Sequence, residues 1–179
     1  MAVDLRLART ADLDPRELRA VRALLDESFD GDFSDEDWDH GLGGVHAVVR
    51  DGAGIVAHGA VVTRRIRYRG RWLRTGYVEA VAVRADVRRS GLGGRVMAGL
   101  EQVIDRAYDL GALSASDEGA ALYAARGWQQ WGGQVHALSP DGIVRLKEEE
   151  GGVWLRPALA GPLDHGGELV FDWREGDVT

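Results

Sequence analysis

The feature that most constrains this chain is an apolar run, Val78-Glu79-Ala80-Val81-Ala82-Val83, followed closely by a basic, glycine-rich turn, Arg88-Arg89-Ser90-Gly91-Leu92-Gly93-Gly94. Beyond the turn, Val96, Leu100, Val103, Ile104 and Ala107 recur at helical spacing. The pattern predicts a strand, a tight turn and an amphipathic helix in succession. The strand is apolar on both faces apart from Glu79, as in a strand covered on both sides. A helix start leaves about four N–H groups unpaired and carries roughly half a positive charge. Glycines at Gly91, Gly93 and Gly94 let a ligand approach the backbone with no Cβ in the way. Arg88 and Arg89 add charge-assisted bonds, so the unit suits a pyrophosphate. Taken alone, the turn reads equally well as an exposed loop with solvated arginines; the strand before it and the helix behind it favour the cradle. A dinucleotide fingerprint, G-x-G-x-x-G, and a Walker loop ending in G-K-[ST] are both missing.

The 179 residues suit one α/β domain, 1–179. Leu5–Ala8 alternates as a strand. Asp14-Pro15 starts a helix that runs to about Phe29, and Ser34 with Asp37 forms a capping pair for a second, short one. Val45–Arg50 and Ile55–Arg67 read as strands about a turn at 51–54, and Arg69-Gly70-Arg71 turns into a strand at Leu73–Val83. Gly111 is expected to stop the helix that follows the glycine-rich turn, with Ala112–Ser114 resuming as strand. Asp117–Arg126 reads as a short helix, Val153–Leu155 and Glu168–Phe171 as late strands, and Glu148-Glu149-Glu150 as loop.

No cysteine is present, which removes disulfides, thiolate metal sites and a cysteine nucleophile together. His46, His58 and His136 do not fall at metal-ligand spacing, so core or surface roles are expected and no metal. The formal net charge of -7 argues against nucleic acid; it suits a cationic partner, and taken alone it reads more readily as simple solubility. No apolar stretch reaches the roughly 20 residues of a membrane span, and the first residues lack an apolar leader centre, so a cytoplasmic protein is expected.

Arg88-x-x-Gly91-x-Gly93 matches the [QR]-x-x-G-x-[GA] acetyl-CoA motif of the GNAT superfamily. The chain further resembles the aminoglycoside 2'-N-acetyltransferases at Gly31-Asp32-Phe33, Asp37-Trp38, Leu42-Gly43-Gly44, Gly76-Tyr77-Val78-Glu79 and Val81–Asp86. Leu110–Ser114, Leu122-Tyr123-Ala124, Arg126-Gly127-Trp128 and the tail Asp172–Val178 extend the resemblance over nearly the whole chain. It implies a GNAT fold: a central, mixed and mostly antiparallel sheet flanked by helices, with acetyl-CoA at the strand–turn–helix unit.

By that resemblance Val81, Ala82 and Val83 hold the pantetheine arm through their backbone, and Arg88, Arg89, Ser90, Gly91, Leu92 and Gly93 hold the pyrophosphate. Glu79 is the expected general base, acting through water on the substrate ammonium, and Tyr123 the expected acid for the departing thiolate. A structural ion pair for Glu79 and a core position for Tyr123 are the alternatives. The absence of cysteine agrees with direct attack by the amine and leaves an acyl-enzyme on another nucleophile open. A cationic drug needs carboxylates, and Asp32, Asp37, Glu79, Glu149, Asp172 and Asp177 are the available set, with Asp32 foremost and Ala80 and Ser114 beside them. The family carries glycine where this chain has Ala80, aspartate where it has Glu149, and an aromatic residue in place of Thr179. The competing functions are acetyl transfer to another polyamine or a cell-wall amino sugar, and a non-catalytic acyl-CoA-binding module. Members of the family are often homodimers, so the resemblance allows a homodimer without fixing the assembly.

Overall fold

The computed structural model describes residues 3–179. In chain order its elements are β1 (Asp4–Arg9), α1 (Pro15–Ser28), α2 (Asp35–Gly41), β2 (Val45–Asp51), β3 (Gly54–Tyr68), β4 (Arg71–Val83) and α3 (Leu92–Ala107). There follow β5 (Leu110–Ser114), α4 (Asp117–Ala125), β6 (Gln129–Gln130), β7 (Gln134–Ser139), β8 (Gly142–Arg145), β9 (Val153–Pro157) and β10 (Glu168–Asp172). The chain divides into two compact units, Met1–Val62 with Val78–Gln102, and Thr63–Tyr77 with Val103–Thr179. β3, β4 and α3 each contribute residues to both.

In the first unit β1 pairs antiparallel with β2, and β2 antiparallel with β3. Asp51 Oδ1 accepts the N–H groups of Ala53 at 2.7 Å and Gly54 at 3.1 Å, which closes the predicted hairpin turn. α1 begins as its sequence requires. Asp14 Oδ1 accepts the N–H groups of Arg16 at 2.7 Å and Glu17 at 2.9 Å, and the Glu17 carboxylate accepts the Asp14 N–H at 2.9 Å. The apolar stripe of α1, Val21, Leu24 and Leu25, is buried with Phe33, Val48, Ile55 and Ala82. α3 lies close on β3 at Gly59, where a Cβ would stand 2.7 Å from a Val96 methyl and 3.1 Å from one of Leu100. Only a residue without a side chain permits that approach.

The strands of the second unit run in the order β6-β9-β5-β4-β3-β10-β7-β8. β4 pairs parallel with β5 and β10 parallel with β7, while the other pairings are antiparallel. Arg69 and Gly70, with φ of 48° and 78°, form the two-residue turn between β3 and β4, the left-handed pair that matches strand twist. One expectation needs correction. Gly111 does not stop α3, which ends at Ala107; the Asp109 N–H turns instead to the Arg74 carbonyl at 2.8 Å. Gly111 lies inside β5, where a Cβ would press on Ile104, Arg156 and Trp128 at 3.0–3.2 Å. The β7–β8 hairpin, turning at Ser139-Pro140-Asp141-Gly142, was not predicted.

Arg64 ties the C-terminal tail to β3. It is 5% exposed, and its Nε donates to Asp172 Oδ1 at 2.8 Å while Nη2 donates to the Asp172 carbonyl at 2.7 Å. Nη1 donates to the Val178 carbonyl, and the guanidinium lies 5.1 Å from the Tyr77 ring centre and 5.5 Å from that of Phe171. Removing the buried guanidinium leaves the Asp172 and Val178 carbonyls and one Asp172 carboxylate oxygen without their donor. Arg64→Met is therefore expected to lower the unfolding free energy by about 2 kcal/mol, read from urea titrations. A change below about 0.5 kcal/mol, the scale of an exposed pair, would contradict this.

Candidate active site

The predicted strand–turn–helix forms in the first unit. The β4–β5 ladder covers only Thr75–Tyr77, and β4 continues past it to Val83. Val78 and Ala82 are buried, but Glu79, Ala80, Val81 and Val83 are only half-buried. This corrects the expectation of a strand covered on both sides. A strand edge left open by a neighbouring ladder offers backbone N–H and C=O groups to an extended ligand.

The turn fits a pyrophosphate. Arg89 and Gly91 have φ of 60° and 83°, and the Arg95 N–H makes a helical bond to the Gly91 carbonyl at 3.1 Å. The N–H groups of Leu92, Gly93 and Gly94 precede that bond and have no carbonyl four residues back within the helix. A Cβ at Gly91 would meet nothing within 4 Å, so the space before the helix is clear. Arg88 and Arg89 are exposed and make no ion pair among the described residues; Arg88 Nε only donates to the Val83 carbonyl at 3.1 Å. The Ser90 hydroxyl donates to the Val87 carbonyl and tightens the loop.

Ala80 interrupts β4 with a φ of 52°. An alanine held in the left-handed region is strained by about 1–2 kcal/mol. Replacing it by glycine relieves the strain but also loosens the unfolded chain. Ala80→Gly is thus expected to raise stability by up to about 1 kcal/mol, seen as a higher urea midpoint. A midpoint lowered by that amount would mean that Ala80 is unstrained.

Two buried histidines, His46 and His58, expected only in core or surface roles, form with the half-buried Thr10 a chain of bonds that ends at this kink. His46 and His58 are each 1% exposed. Thr10 Oγ1 lies 2.7 Å from His46 Nε2, His46 Nδ1 lies 2.9 Å from His58 Nε2, and His58 Nδ1 lies 3.0 Å from the Ala80 carbonyl. The Gly43 N–H donates to Thr10 Oγ1 at 2.9 Å. Burial pushes the His46 pKa down to about 4. Burial, with His46 adding to it, pushes His58 down to about 3, so both rings are neutral at pH 7.

Of the expected substrate carboxylates in this unit, Asp32 is exposed and has no ion pair among the described residues. Its loop is held by Arg22, which bonds Asp26 at 2.7 Å, Asp35 at 2.9 Å and the Phe33 carbonyl at 3.2 Å. Asp37 is occupied differently, since its Oδ2 accepts the Ser34 N–H at 2.9 Å and caps α2.

The second unit holds the remaining expected residues. Tyr123 is buried on α4, edge-on to Trp128, and burial pushes its pKa up to about 12. Ser114 ends β5 and is exposed. Glu149 is half-buried and accepts the Thr179 hydroxyl at 2.6 Å. Asp172 has both oxygens engaged, by Arg64 Nε and by the Arg65 N–H at 2.9 Å. Asp177 is exposed, and its carboxylate makes no ion pair among the described residues. A cleft of about 650 Å³ in this unit, bordered by Trp131, Gln134, Arg145, Glu150 and Glu168, contains none of the expected site residues.

A kinked strand with an open edge, leading into a basic turn and a helix start, defines an acyl-CoA-using acetyltransferase. The chain belongs to the GNAT acetyltransferase family, whose domain model matches residues 9–131. Within it the chain stands with the aminoglycoside 2'-N-acetyltransferases: one from Mycolicibacterium fortuitum is 48% identical over 176 residues, which is 97% of this chain and 90% of that protein. Acetyl-CoA is the acyl donor of the family. The CoA complex of the GNAT N-acetyltransferase YhbS from Escherichia coli shares the fold with a TM-score of 0.62 at 19% identity, covering 94% of this chain and 89% of that one. A GCN5-related N-acetyltransferase from Kribbella flavida aligns with a TM-score of 0.59 at 25% identity over 74% of this chain, which spans only 34% of that longer protein. The sheet is mixed and mostly antiparallel with four helices, as the resemblance implied. Among the described residues no helix is long and apolar enough to cross a membrane.

Proposed function

We propose that this acetyltransferase moves the acetyl group of acetyl-CoA directly onto the 2'-amine of an aminoglycoside. The observation that carries the reading is a half-buried carboxylate, Glu79, one residue from the kink in β4 and on the strand that leads into the Arg88–Gly93 cradle, in a chain 48% identical to an aminoglycoside 2'-N-acetyltransferase. The backbone of Val81–Val83 holds the pantetheine arm, and Arg88, Arg89 and the N–H groups of Leu92 and Gly93 hold the pyrophosphate. Glu79 takes a proton from the substrate ammonium through water. The freed amine forms the C–N bond as the C–S bond breaks, and the Val81 N–H supports the negative charge that gathers on the carbonyl oxygen.

Tyr123 serves the departing thiolate. With a pKa near 12 its hydroxyl stays protonated at neutral pH and has a proton to give. Among the carboxylates Asp32 leads, because Asp37 and Asp172 are already bonded within the protein. Asp177, Glu149 and Ser114 add further polar contacts. The overall charge of -7 favours the encounter with a polycation.

Two measurements test this. Carbon–proton correlation spectra of the acetylated drug should place the new acetamide at N2'; attachment at any other nitrogen overturns the regiochemistry. Replacing Arg88 and Arg89 together by alanine should raise the KM for acetyl-CoA by about tenfold or more, since hydrogen bonds to charged groups contribute about 1.5–3 kcal/mol each. An unchanged KM would remove the cradle from the account.

A further inference from the structure

The Thr10–His46–His58 chain ends on a carbonyl, and that fixes the direction of every bond in it. The Ala80 carbonyl can only accept, so His58 Nδ1 carries the proton and donates at 3.0 Å. In the neutral ring His58 Nε2 is then an acceptor, so His46 Nδ1 is the N–H of the 2.9 Å contact. His46 Nε2 in turn accepts from the Thr10 hydroxyl at 2.7 Å, and Thr10 Oγ1 accepts the Gly43 N–H at 2.9 Å. Each ring has one donor and one acceptor, and each meets its complement. Such a chain has one tautomer per ring, and the Gly44 carbonyl, the other acceptor near the Thr10 hydroxyl, lies farther off at 3.5 Å.

The carbonyl it grips belongs to the one residue of β4 with a left-handed φ. A trans peptide is planar, with its C=O and N–H pointing in opposite directions. Holding the Ala80 carbonyl on the side of His58 therefore turns the Val81 N–H to the other side of the strand. We infer that His58, locked in its Nδ1–H tautomer by His46 and Thr10, is a positioning residue that orients the Ala80–Val81 peptide so that the Val81 N–H faces the acetyl carbonyl. The inference rests on the acetyl-transfer reading above, but the orientation itself is measurable without turnover. It also accounts for two histidines buried where apolar residues would pack at no polar cost. The kink is strained in an alanine, and a buried donor aimed at its carbonyl holds the strained conformer.

The test compares wild type with His58→Leu, which fills the space without a donor, and His58→Asn, whose amide nitrogen takes the place of Nδ1. Long-range proton–nitrogen spectra of the wild-type histidines should show the Nδ1–H tautomer for both His46 and His58. On adding acetyl-CoA, the Val81 amide resonance should shift in wild type and His58→Asn and stay put in His58→Leu. In CoA-release assays His58→Leu should lower kcat by about 10- to 100-fold, as for a displaced oxyanion donor, with the KM for acetyl-CoA within about twofold. His58→Asn should recover kcat to within about threefold of wild type.

An Nε2–H tautomer at His58 overturns the inference from the wild-type protein alone, even if His58→Leu does not fold. So does a folded His58→Leu with wild-type kcat, or a His58→Asn as impaired as the leucine variant, because a purely structural role predicts no rescue. If no aminoglycoside is turned over by wild type, the substrate reading fails, and the tautomer and Val81 measurements still decide this one.

Discussion

Glu79→Gln is expected to lower kcat by about 100-fold or more while leaving acetyl-CoA binding within about twofold, on the scale of a lost general base. Glutamine keeps the size of glutamate and a hydrogen-bonding oxygen but cannot take up a proton. Glu79 is half-buried on the exposed edge of β4, beside the kink, and not in the Arg88–Gly93 turn. Its loss therefore acts on the amine and not on the pyrophosphate. The pH profile separates the two roles open to it. A base predicts kcat low at every pH in the variant, whereas a structural ion pair predicts a lower thermal midpoint with kcat little changed. Normal turnover by Glu79→Gln across pH 6–8 would remove it as the base.

Mild acid should destabilise the protein through its two buried histidines. The folded pKa values of His46 and His58, about 4 and about 3, lie below the ordinary value of 6.5. Above pH 6.5 both rings are neutral whether the chain is folded or not, and stability does not depend on them. Below it the unfolded rings bind protons that the folded ones refuse, so stability falls as pH falls through the window from 6.5 to about 4. With two rings, the loss between pH 7 and pH 5 is on the order of 4 kcal/mol. The carboxylates held low by bonded partners, Asp12, Asp14, Asp86 and Glu150, lose their contributions only at lower pH. Urea midpoints at pH 7 and pH 5 should therefore differ steeply, with nearly two protons taken up on unfolding at pH 5. A flat midpoint over that range would mean that the histidine chain is wet or already charged.

What the sequence revealed and what it concealed divide along physical lines. The cradle was legible because a glycine-rich basic turn between an apolar strand and an amphipathic helix has few other uses. The helix starts were legible because Asp14 with Glu17, and Ser34 with Asp37, are the side chains that orphan N–H groups require. Gly111 misled, since a glycine after a helical stretch marks a stop as readily as a place where Ile104 and Trp128 crowd a strand. Arg64 concealed itself in an Arg64-Arg65 pair that reads as surface, although its neighbour in sequence is exposed and it is not. The histidine chain needed the strand register. His46 stands opposite Ala60 and His58 opposite Val48, so the two rings become diagonal neighbours only once that hairpin is paired. No residue type announces the left-handed φ of Ala80.

Acetyl transfer to a 2'-amine is tested by CoA release from acetyl-CoA with gentamicin, which bears that amine, beside kanamycin A, which bears a 2'-hydroxyl. Rapid release is expected with gentamicin and none above background with kanamycin A. Equal release with both, or release with neither while acetyl-CoA still binds, would contradict it.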